Sequence, residues 1–265
     1  MDVTTALQLL DHESSALDTL VAGLTAEQWR LPTPAEGWSI ADQIAHLMWT
    51  DQVSVMSILE PAEFTALAAS IAKEGDMSIV DREAHRLAAT PPAQLLEDWR
   101  TARSALADAL AGVSPDAQLT WFGPPMRPVT MVTARIMETW AHALDVYDAL
   151  GVEKPAAAPL AAVARIGVRT RDFAFKSRRI EAPTEEFRVE LTMPDGELLE
   201  FGPVDAAQQV TGSAWAFAAV VTQRRNIADV DLHTEGDDAA RWMSIAQAFA
   251  GAPTQGPTPG ERGQR

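Results

Sequence analysis

The chain has 265 residues, 47% of them hydrophobic and 22% charged, enough for one large or two smaller soluble domains with a buried core. Its formal net charge of −16 and the lack of any long basic patch exclude nucleic acid and anionic membrane surfaces as expected partners. It contains no cysteine, so disulfides, thiolate metal sites and a protein thiol nucleophile are excluded, while a small-molecule thiol is not.

The first residues, MDVTTALQLLDHESS, have neither a basic n-region nor an apolar h-region, so no signal peptide is expected. No apolar run approaches the roughly 20 residues that span a bilayer, and the expected location is the cytoplasm. Thr4 to Leu24 carries Leu7, Leu10, Leu17, Leu20, Val21 and Leu24 at helical spacing. Thr25 with Gln28 three residues on reads as a capping box for a short helical turn. Leu31 to Gly37 is turn-rich, and Ser39 is a good N-cap for a helix through Ile40, Ile44, Leu47, Val53 and Met56, which Pro61 ends or interrupts. From Ala62 to Ala89 the pattern is helical but irregular, with a break expected near Glu74 to Asp76. Pro91 and Pro92 start a helix whose inward face is Leu95, Leu96, Trp99, Ala102, Leu106 and Leu110. A loop follows from Ser114 to Arg127, then a helix from Val129 to Leu150 stopped by Gly151.

The expected fold is mainly α: an N-terminal four-helix bundle over residues 1–152, then a smaller α/β extension over 153–250 and a disordered tail over 251–265. In the extension, Leu160 to Arg178 reads as one helix. Phe187 to Thr192 and Glu197 to Phe201 flank a Pro-Asp-Gly turn as a hairpin, and Gln208 to Thr211 offers a third strand. Ser213 to Arg224 and Asp237 to Phe249 read as helices.

The chemistry concentrates in two stretches. Glu138 and His142 lie four apart on one helix, so their side chains stack on one face among Met131, Ile136, Met137, Trp140, Leu144 and Val146. A carboxylate in such a setting costs several kcal/mol unless it is paired or bound to a metal. An i, i+4 surface contact is the plainer alternative. His46, between Ile44 and Leu47 on another helix, would complete a set of two imidazoles and one carboxylate. Three protein ligands with open positions are the layout of a catalytic metal site. The donors suit zinc, and also nickel, cobalt or ferrous iron. Asp42 and Asp145 are each spaced to orient a ligand imidazole, or else are solvated helix residues. His12, His85 and His233 read as structural or solvated. Arg82 and Arg135 are the candidates for binding an anionic substrate, with Arg224 and Arg225 as alternatives; a surface role is the ordinary case for each. Trp38, Trp49, Trp121 and Trp140 lie near the ligand segments and either wall a pocket or pack the core. No Gly-rich phosphate loop and no G-x-S-x-G elbow is present, which disfavours nucleotide cofactors and serine hydrolase chemistry.

The stretch GWSIADQIAHLMWTD followed later by METWAHALDVYDALG resembles the DinB-like metal-binding superfamily, and within it the branch of mycothiol-dependent maleylpyruvate isomerases. The resemblance covers residues 1 to about 152 and is carried by Gly37, Trp38, Asp42 and His46, then Glu138, Trp140, His142 and Asp145. It implies a four-helix bundle with a divalent metal on His46, Glu138 and His142. It also implies thiol transfer or thiol-assisted isomerisation of a small organic substrate, with mycothiol as a candidate cosubstrate. A metal-dependent hydrolase or lyase without thiol, and a non-catalytic metal-binding protein, are the alternatives. A monomer or a homodimer is expected.

Overall fold

Asp2 opens the first helix by accepting a hydrogen bond from the Thr5 backbone N–H at 2.8 Å, satisfying one of the free donors of the first turn. A computed structural model of the chain describes residues 1–74 and 79–262. Helix α1 runs from Val3 to Ala22 and buries Ala6, Leu10, Leu17 and Val21, one apolar stripe at helical spacing. The Thr25 capping box forms: its N–H donates to Gln28 Oε1 and its hydroxyl accepts from the Gln28 N–H.

Helix α2, Ile40–Leu59, begins with a second capping box. Ser39 caps the helix, and Asp42 reaches back to the Ser39 N–H at 2.8 Å. Ahead of it the chain folds on itself, with Pro32 bridged to Ser39 and the Thr33 N–H donating to the Trp38 carbonyl. Helix α3 covers Pro61–Glu74 and α4 covers Ile79–Ala88. The break expected near Glu74 to Asp76 reaches residues outside those described. Helix α5, Pro92–Gly112, has proline in its first turn and buries all six apolar residues of its expected face. Helix α6 spans Pro128–Leu150. Gly151 stops it in the left-handed region at φ +64°, where a residue without Cβ is unstrained, and its N–H caps the helix.

Helices α1, α2, α5 and α6 form the bundle: α2 packs on α5 and α6, α1 on α6 and α5, and α4 lies on α2. The core includes Leu17, Ile44, Leu47, Leu95, Trp99 and Val146. Fully burying one such aliphatic side chain contributes about 1.5–3 kcal/mol.

The chain divides into two compact units, Met1–Lys154 and Pro155–Arg265. In the second unit, the expected single helix from Leu160 is two, α7 (Leu160–Arg169) and α8 (Arg171–Ser177). Strands β1 (Phe187–Thr192), β2 (Leu198–Phe201), β3 (Gln208–Ser213) and β4 (Leu232–Glu235) form one sheet in the order β2-β1-β3-β4. The β1–β2 hairpin is antiparallel, pairing Val189 with Phe201, whereas β3 runs parallel to β1 and antiparallel to β4. Gly212 lets β3 and β4 approach, since a Cβ there would lie 2.4 Å from the Asp231 carbonyl oxygen. Helix α9, Ala214–Val221, is buried throughout, and α10, Asp237–Ile245, packs on α8, β3 and β4.

Residues 251–262 correct the expectation of a disordered tail. The Thr254 hydroxyl donates to Gln223 Oε1 and its N–H to Gln247 Oε1. Asn226 donates to the Pro257 carbonyl, and the Gly260 N–H meets the Asp229 carboxylate. Polar side chains anchor this segment. No described helix is long and apolar enough to cross a membrane.

Candidate metal centre

His46 sits in the second turn of α2, and Glu138 and His142 stand one turn apart on α6. Because α2 and α6 pack together, the three side chains converge, with one ligand atom from each within 4.8 Å of the others. Glu138 Oε2 lies 3.3 Å from His142 Nε2 and 3.6 Å from His46 Nε2. The two imidazole centroids are 4.4 Å apart. His46 is buried and the other two are half-buried. Burial pushes the Glu138 carboxyl up, but hydrogen bonds and charge from His142 and His46 outweigh it and hold Glu138 well below its ordinary value.

A directed chain of hydrogen bonds sets the state of His142. The Thr33 hydroxyl donates to the Trp38 carbonyl at 2.9 Å, so its oxygen is free to accept from Gln43 Nε2 at 2.8 Å. That fixes the amide: Gln43 Oε1 faces His142 Nδ1 at 2.5 Å and requires a proton on it. The Nε2 lone pair of a neutral His142 therefore points to Glu138 and His46, as a metal ligand needs. Gln43 is fully buried. Sequence reasoning passed over it, although a buried glutamine three residues before His46 on the same helix face is a readable signal. His46 differs: its Nδ1 is buried and has no hydrogen-bond partner. The trio fits a divalent metal by its donors, since two imidazoles and a carboxylate held ionised are what such an ion takes.

Trp38 walls this cluster. Its ring stacks on His142 at 5.8 Å and lies 5.3 Å from His46, while its Nε1 donates to Asp81 of α4 at 3.0 Å. Trp49 is 6.5 Å from His46. Trp140 is buried with Lys154 over its ring, and Trp121 stacks on Phe64.

The remaining candidates fall elsewhere. Asp42 belongs to the capping box, and its Oδ1 meets His85 Nδ1 at 2.7 Å, so this carboxylate fastens α4 to α2 rather than orienting His46. Asp145 is buried on α6; the ring nitrogens of His142 face Gln43 and Glu138. Arg135 is 2% exposed and its Nε donates to Asp51 Oδ1 at 3.0 Å, which places it in the core and not at a substrate. Asp51 also takes Arg103 Nε on Oδ2 at 2.8 Å. Arg82 is exposed on α4. Arg224 and Arg225 belong to the second unit, where Arg225 lies over the Trp215 ring.

Comparison with known proteins adds three findings. The chain is 51% identical over 247 residues to uncharacterised proteins from two strains of Mycobacterium tuberculosis, covering 93% of this chain and 96% of each relative. Two crystal structures of a mycothiol-dependent maleylpyruvate isomerase, one a histidine-to-alanine mutant, superpose with a TM-score of 0.58. They cover 88% of this chain and 93% of theirs at 15% and 16% identity, a likeness of fold. The family description "Mycothiol maleylpyruvate isomerase N-terminal domain" matches residues 10–147, the span that contains every member of the trio. On that match, the chain belongs to the mycothiol maleylpyruvate isomerase family, in the DinB-like superfamily.

Proposed function

We propose that the chain is a divalent-metal-dependent enzyme that uses a small-molecule thiol of the mycothiol type to isomerise, or transfer the thiol to, a small organic substrate. The observation that carries this reading is the convergence of His46, Glu138 and His142, with Gln43 holding His142 in the ligating tautomer. A divalent metal bound there supplies a Lewis acid that lowers the pKa of a thiol or water at an open position.

The chain's own residues do the rest. Glu138 stays ionised and lends negative charge to the cation. Gln43 and Thr33 hold one imidazole, so the site is organised before a ligand arrives. Trp38 covers the imidazole pair and keeps water from one side of it. The absence of protein cysteine leaves the nucleophilic sulfur to a cosubstrate. In a thiol-assisted cis–trans isomerisation the thiolate adds to a conjugated C=C bond, the resulting single bond rotates, and the thiolate leaves. The thiol is regenerated and no oxidant is needed.

The test is turnover of maleylpyruvate and related unsaturated acids by the purified chain with and without mycothiol. Turnover that requires the thiol supports the reading. Hydrolysis or elimination that proceeds equally without thiol would replace it with the hydrolase or lyase alternative.

A further inference from the structure

A second feature of the first unit lies between α1 and α5, on residues that the trio does not use. There the two helices leave a groove of about 420 Å³ whose lining includes Leu7, Leu10, Asp11, Trp99, Arg103 and Ala107. Two of these residues hold hydrogen-bond donors without acceptors. Trp99 Nε1 and Arg103 Nη1 are both buried and both unpartnered. Indole and guanidinium N–H groups can only donate, so each calls for an acceptor that the described residues do not provide. The two are neighbours, with the guanidinium carbon 5.3 Å from the Trp99 ring centroid.

Charge points the same way. Arg103 and Arg135 share the single carboxylate of Asp51, so two buried cations face one buried anion. Burial pushes the Arg103 guanidinium down and the Arg135 charge adds to this, together outweighing the attraction of Asp51 and, more weakly, of Asp11. One negative charge beside Arg103 Nη1 would complete the balance. Arg100, on the groove edge, is already matched by Asp18 at 2.6 and 2.7 Å. Asp11 stands exposed at the rim and disfavours a second negative charge on a ligand. Leu7, Leu10 and Ala107 offer apolar contact to a short chain.

We propose that the α1–α5 groove binds a small organic monocarboxylate, whose oxygens accept from Arg103 Nη1 and Trp99 Nε1 and whose tail lies along Leu7, Leu10 and Ala107. The site is separate from the metal trio and does not depend on it.

The experiment follows the indole N–H signal of Trp99 in the full chain labelled with 15N-tryptophan, identified by its loss in Trp99→Phe. Butyrate and butyramide are titrated at constant ionic strength. The expected result is a saturable shift with butyrate and none with butyramide, because only the carboxylate brings the charge. Trp99→Phe, followed by calorimetry, weakens butyrate binding by roughly tenfold, the loss of one hydrogen bond to a charged acceptor. Ala107→Phe fills the groove and abolishes the Trp99 response, and His142→Ala leaves it unchanged. No saturable shift with butyrate, or an equal shift with butyramide as a bound water would allow, overturns the proposal without reference to any variant. A butyrate response that persists in Ala107→Phe, or disappears in His142→Ala, overturns it as well.

Discussion

Gln43 Oε1 accepts the Nδ1 proton of His142 at 2.5 Å, across 99 residues of sequence, and Thr33 fixes which end of the amide does so. Orienting partners of this kind are worth 10–100-fold in metal affinity where they have been removed from metal sites. Gln43→Leu keeps the bulk and deletes the acceptor. The expected outcome is a loss of metal affinity of roughly 10–100-fold, read by competition with a chelator, with the helical circular dichroism retained. Unchanged affinity contradicts the orienting role.

The same chain predicts a proton position. Whenever His142 is neutral it carries its proton on Nδ1 and not on Nε2; as the imidazolium beside Glu138 it carries both. Long-range 1H–15N correlation of the imidazole distinguishes the two tautomers directly. An Nε2–H tautomer for His142 contradicts the assignment of the Gln43 amide.

Glu138 gives a pH dependence in the metal-free protein. Its folded pKa lies below the ordinary value of 4.5, because the two imidazoles favour the ionised form more than burial opposes it. A carboxyl depressed in this way contributes stability that is fully present above its unfolded pKa and is lost as pH falls through the folded one. The stability difference between the natural chain and Glu138→Gln should therefore be fully present above about pH 4.5 while the imidazoles are protonated, and shrink as pH falls below that. Urea melts at stepped pH measure this. A difference that grows on acidification below that point contradicts the account.

Asp51 is fully buried between Arg135 and Arg103, and removing it strands two cations in the core. Asp51→Ala is expected to destabilise the fold by about 3–5 kcal/mol, as for other broken buried ion pairs. Thermal or urea unfolding checks this. A loss below about 1 kcal/mol, the range of a surface pair, contradicts the burial argument.

Local signals in the sequence were the most legible. Ser39 as an N-cap, the Thr25–Gln28 box, the inward face of α5 and the Gly151 stop all depend on residues within a turn or two of each other. Asp42 is the N3 partner in Ser39's box, whereas its spacing from His46 had suggested a role at the metal. Arg135 looked available for substrate because its partner, Asp51, is 84 residues away and only helix packing brings them together. Nothing short-range marked β4, the parallel pairing of β3 with β1, or the polar anchoring of residues 251–262, since each joins segments distant in sequence. The spacing of His46, Glu138 and His142 was readable because a helix converts i, i+4 into a shared face; Thr33 and Gln43, which order the site, needed the fold.

The measurement that tests the central claim most directly is the metal content of the purified chain by elemental mass spectrometry, beside His46→Ala, Glu138→Gln and His142→Ala made in the same way. The expected result is close to one divalent metal per natural chain and a large loss in each variant, with His142→Ala and His46→Ala still folded by circular dichroism. A natural chain without stoichiometric metal after growth and dialysis in zinc, nickel, cobalt or iron, or metal retained in full by all three variants, would contradict it.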